Sequence, residues 1–143
     1  MNESGEILLQ SQTHPRGIMY SLPGDGVEDG EDYREAIARE IREETGYSDF
    51  EVKECIGAFE YNYYSPERGI DRKLTEYTYR VVLKSQKSES FQLTERELNL
   101  DLKNIWTPQD EVFRKLLQTK DFCGYPEERI LRRYFENKAF CED

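Results

Sequence analysis

The chain is poor in residues that build covalent or metal staples. Its 143 residues include one histidine, His14, and three cysteines, Cys55, Cys123 and Cys141, with no Cys-x-x-Cys pair. An odd, widely spaced set of cysteines argues against a disulfide framework or a structural zinc site, and a lone histidine cannot form a His-rich metal centre. The cysteines are expected as reduced, partly buried small hydrophobes. Long apolar runs are also missing: the longest resemble Val81-Val82-Leu83, far below the roughly 20 residues of a membrane helix. Met1 to Glu6 is polar and acidic, unlike a secretory leader, so the cytoplasm is the expected location, with no membrane partner. Basic residues are outnumbered, 20 against 30 acidic ones, for a formal charge of −10. Proteins that grip nucleic acid along its backbone present a dominant basic face, so that partner class is excluded. A small anionic substrate stays open if a cation or a local basic cluster intervenes.

What is present describes a folded chain. Aromatic residues make up 13%, which separates it from disordered sequences. A chain of this length buries about 68–70% of its unfolded surface, enough for a hydrophobic core. One domain over residues 1–143 is expected, without repeat, linker or low-complexity tract.

Residues 6–11 and 18–22 read as short strands. Pro23-Gly24-Asp25-Gly26 and Asp29-Gly30 break regular structure. From Glu31 to Thr45, Tyr33, Ile37 and Ile41 recur every four residues and predict a helix with one apolar stripe, stopped at Gly46. Residues 50–61 and 74–84 alternate as strands, with 62–73 read as a connecting loop that holds Arg68, Arg72 and Lys73. A short strand ends at Trp106. Thr107 is expected to cap a helix that starts at Pro108 and runs to about Leu117. Residues 126–140 predict a final helix. This order indicates a mixed α/β or α+β fold.

The informative segment is Leu22 to Tyr47, in which a glycine-bearing loop leads into the helix carrying Glu31, Arg39, Glu40, Glu43 and Glu44. At 100° per residue, Glu43 and Glu44 lie about 60° and about 40° to either side of Glu40, so the three share a face. Three clustered carboxylates suit a hard divalent cation such as Mg²⁺, which also takes phosphate oxygens. Glutamate-rich helix faces are more often merely solvated, and like-charge pairs cost only about 0.2–0.5 kcal/mol each, so repulsion decides nothing.

The ordered spacing narrows the choice. It resembles the Nudix box, G-x5-E-x7-R-E-U-x-E-E-x-G-U, where U is bulky and apolar. Glu31, Arg39-Glu40, Ile41, Glu43-Glu44, Gly46 and Tyr47 fall in register, so eight of nine defining positions agree. Asp25 stands where the first glycine belongs; aspartate tolerates left-handed backbone better than most residues, and its side chain either adds a carboxylate or obstructs the site. Leu22-Pro23-Gly24 and Ile105-Trp106-Thr107-Pro108 also look like the family.

The resemblance implies a Nudix-type α/β/α sandwich with a mixed sheet. It also implies Mg²⁺- (or Mn²⁺-) dependent hydrolysis of a diphosphate linkage in a nucleoside diphosphate derivative: a dinucleoside polyphosphate, ADP-ribose, a nucleotide sugar or a nucleoside triphosphate. Glu40, Glu43, Glu44 and the Gly24 carbonyl would hold the cation. Arg39 would orient the glutamates, and Glu31 and Gly46 would support the helix. The general base would be Glu40 or a later glutamate, for which Glu95 and Glu97 are candidates. Arg16, Arg68, Arg72, Lys73 and Tyr63 are candidate substrate contacts; the basic residues read equally well as a solvated loop, and Tyr63 reads better as packing or strand surface. The alternative is a non-catalytic Nudix-like module that binds or senses a nucleotide. The family's first strand has no counterpart before residue 6; it is missing, supplied by another chain or lost through a misplaced start. An absent strand would leave an edge that invites a homodimer.

Overall fold

The computed structural model describes residues 1–15, 17–24, 31–65, 69–89, 93, 95–118 and 124–141, without the side chains of 61–65, 70, 72–74, 96, 124–126 and 138–141. Two strands open the chain, β1 (Ile7–His14) and β2 (Gly17–Ser21), followed by helix α1 (Tyr33–Thr45). The long strands β3 (Phe50–Ser65) and β4 (Ile70–Leu83) come next, then α2 (Glu95–Asn99), β5 (Lys103–Thr107), α3 (Gln109–Leu117) and α4 (Gly124–Cys141).

β1 is the centre of a three-stranded antiparallel sheet ordered β2-β1-β5, with Leu9 opposite Ile105 and Gln10 opposite both Asn104 and Ser21. Alternation along β1 sends Ile7 and Leu9 to one face and Leu8 and Gln10 to the other. Ile7 and Leu9 join Val112 and Leu116 of α3 and Leu131 of α4 in the core. The opposite face meets α1: Gln10 and Asn104 both hydrogen-bond Glu44, and the Trp106 indole N–H donates to the Tyr47 hydroxyl at 3.0 Å. The sheet thus lies between α1 and the α3–α4 pair, the expected sandwich.

β3 and β4 form a second antiparallel ladder. Residues 62–65 and 70–73, expected in a loop, pair within it, with Tyr63 opposite Arg72 and Asn62 opposite Lys73. Ser65 opposite Ile70 is the last of these pairs, so both strands run further than their apolar alternation shows. The register shifts between Val52 and Cys55 and again between Cys55 and Gly57. At Gly57 the strand touches α4 closely: a Cβ there would lie 2.8 Å from Ile130 Cγ2.

Every described ladder is antiparallel. The mixed character expected of the sheet is limited, among the described residues, to Met1, whose amino group donates to Val81 O at 2.7 Å while Leu83 N donates to Met1 O at 2.9 Å. That pattern is a parallel pairing centred on Val82, on the N-terminal side of β1, in the residues expected to carry no strand. Two further expectations change. Thr107 does not cap α3; it ends β5, its hydroxyl bonds Ile105 O, and Pro108 takes the cap position without a side-chain bond. Cys55 is exposed rather than partly buried, while the side chains of Cys123 and Cys141 lie outside the described set. Among the described residues no helix is long and apolar enough to cross a membrane.

Candidate active site

Helix α1 is delimited by its own sequence. The Asp32 carboxylate accepts the Glu35 N–H at 2.7 Å, satisfying one of the orphan donors at the helix start. Gly46 ends the helix with φ 77°, left-handed as a stop requires, and its N–H donates to Arg42 O. The face that α1 buries is not the predicted apolar stripe. Ala36, Glu40 and Glu44, four residues apart, are buried together with Thr45, whereas Ile37 and Ile41 are half-buried and Tyr33 is exposed. The cause lies in the covering surface: the sheet presents the amides of Gln10 and Asn104 to α1, so carboxylates meet polar partners there.

Of the three box carboxylates, that of Glu44 is held from the sheet side. Gln10 Nε2 donates to Glu44 Oε2 at 3.0 Å and to Asn104 Oδ1 at 3.2 Å, and Asn104 Nδ2 donates to the Glu44 carbonyl at 2.9 Å. One turn earlier, Arg39 binds Glu31 through Nε at 2.8 Å and Nη2 at 3.1 Å, a fork-to-carboxylate pair. Its Nη1 reaches Glu40 at 2.7 Å and Glu43 at 3.1 Å. One guanidinium therefore ties together three glutamates. The Glu40 side chain is 10% exposed and that of Glu43 54%, so the cluster runs from interior to solvent.

Among the described residues no three His, Cys, Asp or Glu side chains are gathered closely enough to hold a metal ion. The donor chemistry still fits a hard divalent cation: the ligands available on α1 are carboxylate oxygens, two of them buried at positions where a negative charge needs compensation.

The remaining predicted residues are less concentrated. Gly24 is exposed and has φ 144°, a region that side-chain-bearing residues rarely enter. Arg16, Asp25 and Arg68 lie outside the described residues. Tyr63, Arg72 and Lys73 belong to the outer part of the β3–β4 ladder. Arg34 of α1 bonds the Val52 carbonyl, and Tyr63 stands 11 residues further along β3, up to ~35 Å at strand rise. Glu95 is exposed in α2 and lines an open depression of about 440 Å³ with His14, Asn99 and Leu100. His14 is on the same face of β1 as Gln10, four residues or ~13 Å further along the strand. Glu97 is half-buried, and its carbonyl accepts Leu102 N.

Three residues escaped the sequence reading. Gln10 follows the apolar run Ile7-Leu8-Leu9 and Asn104 precedes Ile105-Trp106, and nothing in either strand's sequence marked them as facing α1. Glu127, at the start of α4, is buried and accepts the Leu22 N–H at 3.0 Å. Burial pushes its carboxyl up to about 8; the Leu22 N–H opposes the rise, and the nearby Glu76 carboxylate adds to it.

An α/β/α sandwich with a carboxylate-bearing helix against the sheet's polar face defines a class, and comparison with known proteins gives the family. The NUDIX domain model matches residues 1–127, and the chain belongs to the Nudix hydrolase family, whose members are pyrophosphohydrolases of nucleoside diphosphate derivatives. Among solved structures the fold is similar to a Caenorhabditis elegans Ap4A hydrolase binary complex, with TM-score 0.59, 17% identity, and coverage of 94% of this chain and 86% of that one. It is similar to a NUDIX hydrolase from Nitrosomonas europaea, with TM-score 0.58, 23% identity and coverage of 96% and 84%. A MutT protein from Methanosarcina mazei Go1 gives TM-score 0.58, 19% identity and coverage of 96% and 88%. No curated protein matches the sequence.

Proposed function

We propose that this chain hydrolyses a phosphoanhydride bond in a small anionic nucleotide derivative, with Mg²⁺ or Mn²⁺ held by Glu40, Glu43, Glu44 and the Gly24 carbonyl. The observation that carries the reading is the burial of Glu40 and Glu44 against Arg39 and Gln10. Buried carboxylates are expensive to retain and concentrate where chemistry needs them. When bound, the cation neutralises diphosphate oxygens and lowers the pKa of a water for in-line attack. Arg39 keeps Glu31, Glu40 and Glu43 in one arrangement, offsetting their mutual repulsion. Gln10 fixes the Glu44 carboxylate from the sheet side. Glu40, inside the cluster, is better placed than Glu95 or Glu97 to take the proton. The net charge of −10 makes a cation bridge the natural route to an anionic substrate.

The substrate class favoured is a dinucleoside polyphosphate. What supports it is the likeness to a structural neighbour that is an Ap4A hydrolase. The test is phosphate release from dinucleoside polyphosphates, ADP-ribose, nucleotide sugars and nucleoside triphosphates, with Mg²⁺ and with chelator, for the natural chain and Glu44→Gln. Release is expected only with the cation, and Glu44→Gln should lose it by about 100-fold or more with the fold intact. Near-normal turnover by that variant would sink the site assignment. Silence of the natural chain across the panel would favour a nucleotide-binding module.

A further inference from the structure

Glu127 lies outside the box, yet α4 carries it to the edge of the loop that precedes it. Glu127, Ile130 and Leu131 are three and four residues apart and share a helix face. Leu131 is in the core with Leu9, Val112 and Leu116, and Phe135, one turn on, meets Phe113 edge-on at 6.1 Å. Ile130 sits over Gly57 so closely that a Cβ on the glycine would fall 2.8 Å from it. Helix α4 is therefore seated against both α3 and β3. From this fixed element the Glu127 carboxyl accepts the Leu22 N–H at 3.0 Å, and the Leu22 side chain packs on the same core. Gly24, two residues further, has no described atom within 4 Å of where a Cβ would stand. Among the described residues, the fastening nearest to Gly24 is the bond at Leu22.

We propose that Glu127 is a positioning residue for the hydrolytic site: by accepting the Leu22 amide it anchors the Leu22–Pro23–Gly24 segment and sets where the Gly24 carbonyl stands. This rests on the reading of Gly24 as a cation ligand. The role needs an acceptor oxygen, not a charge. At neutral pH the carboxyl is protonated, so it fills the role without placing an unpaired anion in the interior. An acidic residue serving only the helix dipole would show no such dependence on the acceptor.

The test compares the natural chain with Glu127→Gln, which keeps an acceptor oxygen, and with Glu127→Leu and Glu127→Met, which do not. Mn²⁺ binding is followed by electron paramagnetic resonance titration, turnover is separated into kcat and KM, and circular dichroism checks the fold. Glu127→Gln should stay within about twofold of the natural chain in Mn²⁺ affinity and kcat. The Leu and Met variants should bind Mn²⁺ about tenfold more weakly and lose about tenfold or more in kcat, the range for groups that orient ligands, with KM little changed. Natural Mn²⁺ affinity in a folded Leu or Met variant overturns the proposal while the hydrolytic reading stands. So does a Gln variant as impaired as they are. A natural chain that binds no Mn²⁺ and hydrolyses nothing overturns the reading of Gly24 and the proposal with it.

Discussion

Buried carboxylates occur at both ends of the chain, and they are kept in opposite ways. On α1, Glu40 stays beside the Arg39 guanidinium at 2.7 Å and Glu44 receives the Gln10 amide. On α4, Glu127 receives among the described residues one backbone N–H, that of Leu22, and faces another acid, Glu76, so burial holds its proton on up to about pH 8. One residue later Glu128 is buried too, but Arg132 pairs with it. The α1 group is held by compensation and Glu127 by neutralisation. A carboxylate meant to bind a cation must remain able to present charge, so compensation belongs there. One that only anchors a loop can be neutral.

Breaking the compensation should have the largest effect. Arg39→Met leaves Glu31, Glu40 and Glu43 without their shared partner. It should destabilise the chain by about 2–3 kcal/mol, below the usual range for breaking a fully buried pair because Arg39 is partly exposed. Turnover should fall about 100-fold. Arg39→Lys should recover only part of either, since an ammonium cannot grip Glu31 with a fork. Denaturant melts and Mg²⁺-dependent turnover read both, and a near-natural Met variant would remove Arg39 from its central place.

The neutral side of the comparison is sharpened by pH. An unfolded glutamate titrates near 4.5, and Glu127 in the fold near 8. Below 4.5 both states hold the proton, and the group contributes no difference. As pH rises toward 8 the unfolded chain releases the proton and the folded one keeps it, so folding stability falls. Glu127→Gln removes this titration. Its stability relative to the natural chain should rise from pH 5 to pH 8 by on the order of 3–4 kcal/mol. A gap that does not change with pH would count against a protonated Glu127.

The smallest effect is expected at Gln10→Met. Losing the donor to Glu44 and Asn104 should cost about 1–2 kcal/mol in stability, with turnover down about tenfold because Glu44 loses a fixed partner. Unchanged turnover would mean that Glu44 needs no help from the sheet.

Much of this was readable beforehand, for reasons that differ by element. Gly46 and the helix before it were legible because chain chirality makes a left-handed stop nearly a glycine signature. The sandwich followed from a box whose spacing resists chance. The burial of Glu40 and Glu44 was not legible, because periodicity ranks residues by their own polarity. It cannot report that the surface opposite is built from Gln10 and Asn104. The reach of β3 and β4 past Asn62 was hidden by a run whose polar composition fits a turn as well as a ladder. Glu127 gave no warning, since an acid at a helix start is what the dipole favours anyway.

The register shifts in β3 carry a consequence for how this chain can change length. Val52 lies opposite Val81 and Gly57 opposite Thr78, so five steps along β3 match three along β4. The surplus is two residues, one full pleat repeat, and the faces come back into phase beyond it. Removing or adding a single residue between Val52 and Gly57 would turn over every side chain on one arm of the hairpin. Gly57 would also move from beneath Ile130. Variation in length at this point should therefore come in pairs.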